Sequence, residues 1–181
     1  EALKREIGYM PDFFGVYDSL KTKEYMSFYA SIYGITGDEA MRRGRELLDL
    51  VGLEDKEDMY VDTLSRGMKQ RLCLARTLIH DPKFLILDEP ASGLDPRARY
   101  EMKLILKEIQ NRGKTILISS HILSEIAEMC TNLGIIESGR MVVTGTVDEI
   151  LSEKRAFAPI HIKLAGESDL AINVLKENHL V

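Results

Sequence analysis

The run Phe84-Leu85-Ile86-Leu87-Asp88-Glu89-Pro90 constrains this chain most: four apolar residues end abruptly in two adjacent carboxylates. An apolar run of this length reads as a strand buried on both faces, as in a parallel sheet. The carboxylates then stand at its C-terminal end, the edge at which open α/β sheets place their ligands. Adjacent acids repel, so a fold tolerates them there best where a cation or a proton-transfer task uses them. The competing reading is a strand that simply runs out into solvent.

The surrounding chain alternates strands and helices. Residues 6–10 read as the end of a strand, and 115–119 as a second buried strand. Asp95-Pro96 is a helix start, an acidic cap followed by proline at the first helical position, and Met102, Ile105, Leu106 and Ile109 form that helix's buried face. Residues 122–129 read as a further helix. This alternation argues for a parallel sheet with right-handed crossovers. Between the first two strands the pattern is helical. Residues 22–33 form an aromatic and methionine-rich helix ended by Gly34, and Asp38 is placed to cap the next. In that helix Met41, Leu48 and Val51 share a face with Leu47 alongside, and Gly52 stops it. A third helix spans 65–79, with Met68, Leu72, Ala75 and Ile79 as its apolar stripe and Lys69, Arg71 and Arg76 on its exposed side. Segments 133–137 and 141–144 flank Ser138-Gly139-Arg140 as a hairpin, and Thr146 and Glu149 have capping-box spacing. Beyond Lys154 the pattern changes: Ile160, Ile162 and Leu164 alternate with polar residues, and 168–176 look helical.

Composition narrows the function. A length of 181 residues suits one globular domain with a small appendage, and a net charge of −5 gives no global basic field for nucleic acid. No apolar run approaches the roughly 20 residues a membrane helix needs, and the opening Glu1-Ala2-Leu3-Lys4-Arg5 is no signal peptide. Cys73 and Cys130 lack metal-ligand spacing and read as buried free thiols of a reducing cytosol.

Four motifs in order carry a family resemblance. They are Leu64-Ser65-Arg66-Gly67-Met68, the strand ending at Asp88-Glu89, Ser92-Gly93-Leu94-Asp95, and Ser119-Ser120-His121. Together they resemble the nucleotide-binding domain of ABC-type ATPases, from about residue 7 to about residue 147. The resemblance implies an α/β fold: a P-loop NTPase-like parallel sheet core with an α-helical signature subdomain. It makes Leu64 to Met68 the signature motif, Asp88 and Glu89 the end of the Walker B strand, Ser92 to Asp95 the D-loop and His121 the switch histidine.

The chemistry of the residues is compatible with these roles. ATP hydrolysis needs Mg²⁺, a positioned water and a sink for charge on the γ-phosphate. Asp88 can bind Mg²⁺ through water, and Glu89 can serve as general base. His121 can contact the γ-phosphate and hold the geometry of water and base; His80, His161 and His179 lack such a context. Ser65 and Gly67 open a helix, whose free N–H groups favour an anion. The family addresses this motif, here Ser65, Arg66, Gly67 and Met68, to ATP held by the opposite subunit, which implies a head-to-tail dimer. Arg66 and Met68 stand where the family more often has Gly and Gln, a variation resembling exporters. Arg66 either adds charge at the phosphate or faces solvent. Asp95 has two uses, helix capping and, by resemblance, contact across the dimer. Asp12 replaces the usual Gln after Tyr9-Met10-Pro11; it either contacts Mg²⁺ or caps a loop.

The expected organisation is a residual core strand over 1–11, a Q-loop-like segment with the helical subdomain over 12–80, the ATPase core over 81–154, and a C-terminal accessory element over 155–181. The cluster Tyr25, Met26, Phe28, Tyr29, Ile32 and Tyr33 suits either a partner-helix groove or a plain core. The expected function is the ATP-binding and ATP-hydrolysing subunit of an ABC exporter. Its cofactors would be ATP and Mg²⁺; its partners a membrane-spanning permease and a second ATPase domain, with no nucleic acid; its place the cytoplasmic face of the cell membrane. The alternatives are a soluble, non-transport ABC ATPase and a non-enzymatic binding module. No Gly-x-x-x-x-Gly-Lys-Ser/Thr loop occurs in these 181 residues, so the sequence reads as an N-terminally truncated piece of a longer ATPase, inactive alone and prone to self-association.

Overall fold

The computed structural model describes residues 2–12, 15 and 19–150. Two compact units divide them, one ending at Thr131 and one beginning at Asn132.

The first unit is built on a parallel sheet of three strands, β1 (Ile7–Met10), β2 (Phe84–Asp88) and β3 (Thr115–Ser119), in the order β1-β2-β3. Glu6, expected in the first strand, instead ends a short helix, α1 (Ala2–Glu6). Register places Gly8, Leu85 and Ile116 in one row and Met10, Leu87 and Ile118 in the next. That face is the core side: Leu85 and Leu87 are both 0% exposed. The other face carries Tyr9, Ile86 and Leu117 in register, and among the described residues Tyr9 and Leu117 each stay 56% exposed. The expectation of strands buried on both faces is therefore corrected. β2 alternates buried and half-buried positions and β3 alternates exposed and half-buried ones, because the described elements bury a single face.

Three helices connect β1 to β2: α2 (Thr22–Ile32), α3 (Gly37–Leu50) and α4 (Arg66–Leu78), with single 3-10 turns at Glu54–Lys56 and Val61–Thr63. α2 ends as its glycine dictates, Gly34 standing at φ 78°. α3 corrects two expectations. Its N-cap position is Thr36, and Asp38 lies inside the first turn, where its charge favours the helix dipole. Its buried face is Ala40, Gly44 and Leu48, spaced by four, so Met41 turns outward at 51% exposure. Gly44 lets α3 approach α2 closely; a Cβ there would stand 3.3 Å from the Cβ of Met26. The aromatic cluster of α2 splits accordingly: Tyr25 and Met26 join the core, while Phe28, Ile32 and Tyr33 remain exposed.

α4 runs through the centre of this unit. Leu72, Cys73, Leu74, Ala75 and Ile79 are buried, and burial pushes the Cys73 thiol up to about 11. β1 lies close against it: a Cβ on Gly8 would meet the backbone oxygen of Thr77 at 2.7 Å. Arg71 and Arg76, expected on the solvent side, point inward instead. Arg76 Nη1 donates to the hydroxyls of Tyr25 and Tyr29, both at 3.0 Å, and its guanidinium lies 4.7 Å from the Tyr29 ring centroid. Arg71 Nη1 donates to Val51 O at 2.8 Å and so satisfies a carbonyl at the end of α3. Both charges are tolerated inside because each finds acceptors there.

After β2, α5 (Pro96–Asn111) buries Met102, Ile105, Leu106 and Ile109 as its periodicity predicts, and α6 (Leu123–Met129) follows β3. The second unit opens with the antiparallel pair β4 (Asn132–Glu137) and β5 (Arg140–Thr146). Its turn residues Ser138 and Gly139 stand at φ 49° and 76°, the left-handed pair that a tight hairpin requires. Thr146 N donates to Glu149 Oε2 and Glu149 N to Thr146 Oγ1, the reciprocal capping box. The expected accessory element over 155–181 lies outside the described residues.

Candidate functional site

The parallel register ends with Asp88 beside Ser119, so two strand ends deliver their polar residues to one place. The hydroxyl of Ser119 donates to Asp88 Oδ1. The chain then turns sharply: Glu89 adopts φ 50°, a left-handed conformation that a non-glycine residue holds only when its surroundings impose it. Its amide is fixed by Ser119, donating to the backbone oxygen at 3.2 Å and to the hydroxyl at 3.0 Å. Pro90, buried, follows in a turn closed by Ser92 N donating to Glu89 O at 3.0 Å.

This backbone aims the Glu89 carboxylate at His121, whose Nδ1 lies 2.8 Å from Glu89 Oε1. The side chain of Glu89 is 21% exposed and that of His121 is 69% exposed, so the pair opens outward. The hydrogen bond to Glu89, and then its charge, hold His121 above its ordinary value; the carboxylates of Glu125 and Asp12 add to this. Asp12, distant in sequence, thus belongs to the electrostatic surroundings of the histidine.

Asp88 offers a single hard carboxylate donor of the type that Mg²⁺ takes. One carboxylate oxygen is engaged by Ser119, and among the described residues no group of three His, Cys, Asp or Glu residues could hold a metal. Mg²⁺ held by one or two carboxylates, waters and substrate phosphates needs no such cage.

A second constellation forms where α4 begins. Ser65 caps the helix, its Oγ accepting from Met68 N at 3.3 Å, which leaves the hydroxyl proton free to donate. Arg66 extends its guanidinium to the turn after β2 in the same chain, with Nη2 donating to Ser92 O at 3.2 Å. Gly93 stands beneath it at φ 65°, and a Cβ there would fall 2.5 Å from the guanidinium carbon. Gly67 lies against α5; its Cβ would meet that of Ala98 at 3.0 Å and the side chain of Leu94 at 3.6 Å. Asp95 Oδ1 accepts from the amides of Arg97 and Ala98, both at 3.0 Å, and these amides hold its carboxyl below the ordinary range.

The structure therefore gathers Asp88, Glu89 and His121 at one point, and Ser65, Arg66, Gly67 and Met68 with Ser92, Gly93, Leu94 and Asp95 at another. Two residues to which the sequence assigned no role of their own join them. Ser119 braces both carboxylate residues. Gln70, buried in α4, donates from Nε2 to Glu89 O at 3.5 Å. The signal for Gln70 was its place one helical turn after Arg66; nothing in the sequence marks what it faces.

A family model described as "ABC transporter" matches residues 1–92. The chain is 33% identical over 163 residues to the linearmycin resistance ATP-binding protein LnrL of Bacillus subtilis, covering 90% of this chain and 52% of that protein. It is 39% identical over 142 residues to the Nod factor export ATP-binding protein I of Burkholderia thailandensis, covering 78% of this chain and 47% of that one. Among solved structures, cbiO1 from Clostridium perfringens, described as part of the ABC transporter complex cbiONQ, superposes with a TM-score of 0.75 at 32% identity, over 86% of this chain and 62% of that one. The chain spans about half the length of the two sequence relatives.

Proposed function

The chain belongs to the ABC transporter family and has its α/β ATPase fold, and on that premise we propose that it serves as the ATP-binding and ATP-hydrolysing part of an exporter. The observation that carries the reading is the pairing of Glu89 with His121 beside Asp88, at the C-terminal end of a parallel sheet.

In this reading Glu89 is the general base. With Oε1 engaged by His121, its other oxygen is available to take a proton from the attacking water as that water's oxygen bonds to the γ-phosphorus and the bond to the departing ADP breaks. His121 as a cation donates from both ring nitrogens, Nδ1 to Glu89 and Nε2 to a γ-phosphate oxygen; the surrounding carboxylates favour that cation. Asp88 would hold Mg²⁺ through water, and the ion would neutralise charge on the phosphates. Ser65 and the α4 amides, with Arg66, Gly67 and Met68, would meet the ATP of a second, head-to-tail ATPase domain. Ser92 to Asp95 would lie along that interface. Asp12 would act on the site through its charge.

The names of the relatives, linearmycin resistance and Nod factor export, support export as the direction and a membrane-spanning permease as the partner. Among the described residues no helix is long and apolar enough to cross a membrane. The kinship with transporter ATP-binding proteins supports a peripheral place on the cytoplasmic face as the proposed location. A groove between α2 and α3, about 530 Å³ in volume, has an apolar floor that includes Phe28, Met41 and Leu48. The ion pair of Arg45 with Glu57 lies at its rim. It suits an amphipathic partner helix.

Mg-ATP binding measured by calorimetry, on this chain and on the chain extended upstream to a full ATPase domain, tests the reading. Binding by the extended chain alone is expected. Tight binding by the 181 residues themselves would mean that the phosphates sit elsewhere.

A further inference from the structure

We infer that Arg66 and Gln70 are positioning residues that hold, from one side of α4, the turn that carries Glu89. The orientation of the signature helix would thereby set the orientation of the base within the same subunit. The functional consequence rests on the ATPase reading above; the clamp itself rests on geometry.

Arg66 and Gln70 are four residues apart and therefore project from the same side of the helix. They reach the two ends of one turn. Arg66 Nη2 donates to Ser92 O at 3.2 Å, and Gln70 Nε2 donates to Glu89 O at 3.5 Å. The turn between them is closed by Ser92 N donating to Glu89 O. The Glu89 carbonyl has two lone pairs and accepts from both.

The fit at the Arg66 end is close. Gly93 leaves vacant the volume that the guanidinium occupies, since a Cβ would stand 2.5 Å from its carbon and 2.5 Å from Nη2. The positive φ of 65° independently favours glycine there. Gly67 lets the first turn of α4 lie close to Leu94 and to Ala98 in the first turn of α5. At the Gln70 end the side chain is 4% exposed, so it has no solvent alternative to its protein contacts.

Glu89 is the residue that needs such support, because its φ of 50° is unfavourable unless imposed. Ser119 grips its amide from β3, and α4 grips its carbonyl turn from the opposite side. A rotation of α4 then moves the carboxylate relative to His121. If the signature residues meet the ATP of a second subunit, occupancy of that site is transmitted through Arg66 and Gln70 to the base of this one.

Amide hydrogen exchange on the 181-residue chain tests the clamp without nucleotide. Arg66→Ala is expected to speed exchange at Ser92 and Leu94 by about tenfold, while the amides of α5 and of the second half of α4 stay unchanged. Arg66→Lys, which keeps a donor on a long stem, is expected to return the rates to within about threefold of wild type. Unchanged rates at residues 89–94 in Arg66→Ala, or a uniform rise across the helices, would overturn the clamp. Gly93→Ala provides an independent check, since it displaces the guanidinium: its effect on these amides should be larger in the wild-type background than with Arg66→Ala, and equal effects would refute the contact. In the chain extended to a full ATPase domain, Arg66→Ala is expected to lower kcat about tenfold through Glu89, with Arg66→Lys recovering most of it. Failure of the extended wild-type domain to turn over ATP would defeat the ATPase reading and leave the exchange result to judge the clamp. Turnover with unaltered exchange would defeat the clamp alone.

Discussion

His121 and Glu89 are joined by a contact of 2.8 Å between Nδ1 and Oε1, although they leave the sheet from different strands. The contact exists because β2 and β3 end in register, Asp88 beside Ser119, and because Glu89 then turns back on itself at φ 50°.

This pairing predicts a titration. His121 is held above its ordinary value of 6.5, first by the Glu89 hydrogen bond and then by its charge. A raised folded-state value means that the pairing contributes to stability in full below the unfolded value, and that this contribution is lost as pH rises through the folded one. NMR titration should place His121 above 6.5, and Glu89→Gln should bring it down. An unmoved midpoint in the variant would show that the two groups do not interact in solution.

Glu89→Gln should also silence turnover. In the chain extended to a full ATPase domain, kcat should fall by about 10²–10⁴ while Mg-ATP binding survives, because the amide keeps the shape and loses the basicity. The 181 residues alone should show negligible turnover, since they hold no Gly-x-x-x-x-Gly-Lys-Ser/Thr loop. Steady hydrolysis by those residues, abolished by Glu89→Gln, would contradict this.

Arg76 should prove a structural residue. Arg76→Ala strips a charged donor from the hydroxyls of Tyr25 and Tyr29 and should cost about 2–3 kcal/mol in urea unfolding. Arg76→Lys should recover less than half of that, because a point cation replaces a planar fork that bonds and stacks at once. A loss below about 0.5 kcal/mol would place the side chain in solvent.

His80 should act in the opposite sense to His121. Its ring stacks on Tyr33 at 3.9 Å between centroids, Nε2 lies 3.1 Å from Ile7 O, and Nδ1 is buried without a hydrogen-bond partner. Burial lowers its value against the raising effects of the Ile7 carbonyl and Asp81, and Lys114 lowers it further. The folded state therefore favours the neutral ring, and stability should fall as pH drops through the ordinary value of 6.5 toward the lowered one. Thermal melts between about pH 7.5 and 5.5 should lose part of their pH slope in His80→Gln; parallel slopes would exclude this histidine as the cause.

Part of the candidate site is legible in the sequence. Asp88 and Glu89 were visible as a break from apolar to acidic, and the order of the four motifs named the family. Arg66, in contrast, left two readings open, charge at a phosphate or exposure to solvent; it is exposed, and the fold adds a contact that neither reading held, with the backbone oxygen of Ser92. Gln70 and Ser119 carried no signal of what they hold, because Glu89 lies 19 and 30 residues away from them.

What the sequence determined by itself is local. Asp95-Pro96 starts α5, Ser138-Gly139 makes the hairpin turn, and Thr146 and Glu149 cap one another. Each depends on hydrogen bonds or φ preferences within four residues, which no distant partner needs to supply. Tertiary structure decided which way the ambiguous side chains point. Arg71 and Arg76 turned inward because acceptors from α2 and the end of α3 await them, Met41 turned outward because Gly44 and Leu48 take the contact with α2, and Leu117 stays exposed on the uncovered face of β3. Periodicity fixes which residues share a face, but the free energy of burying that face depends on the element that comes to cover it.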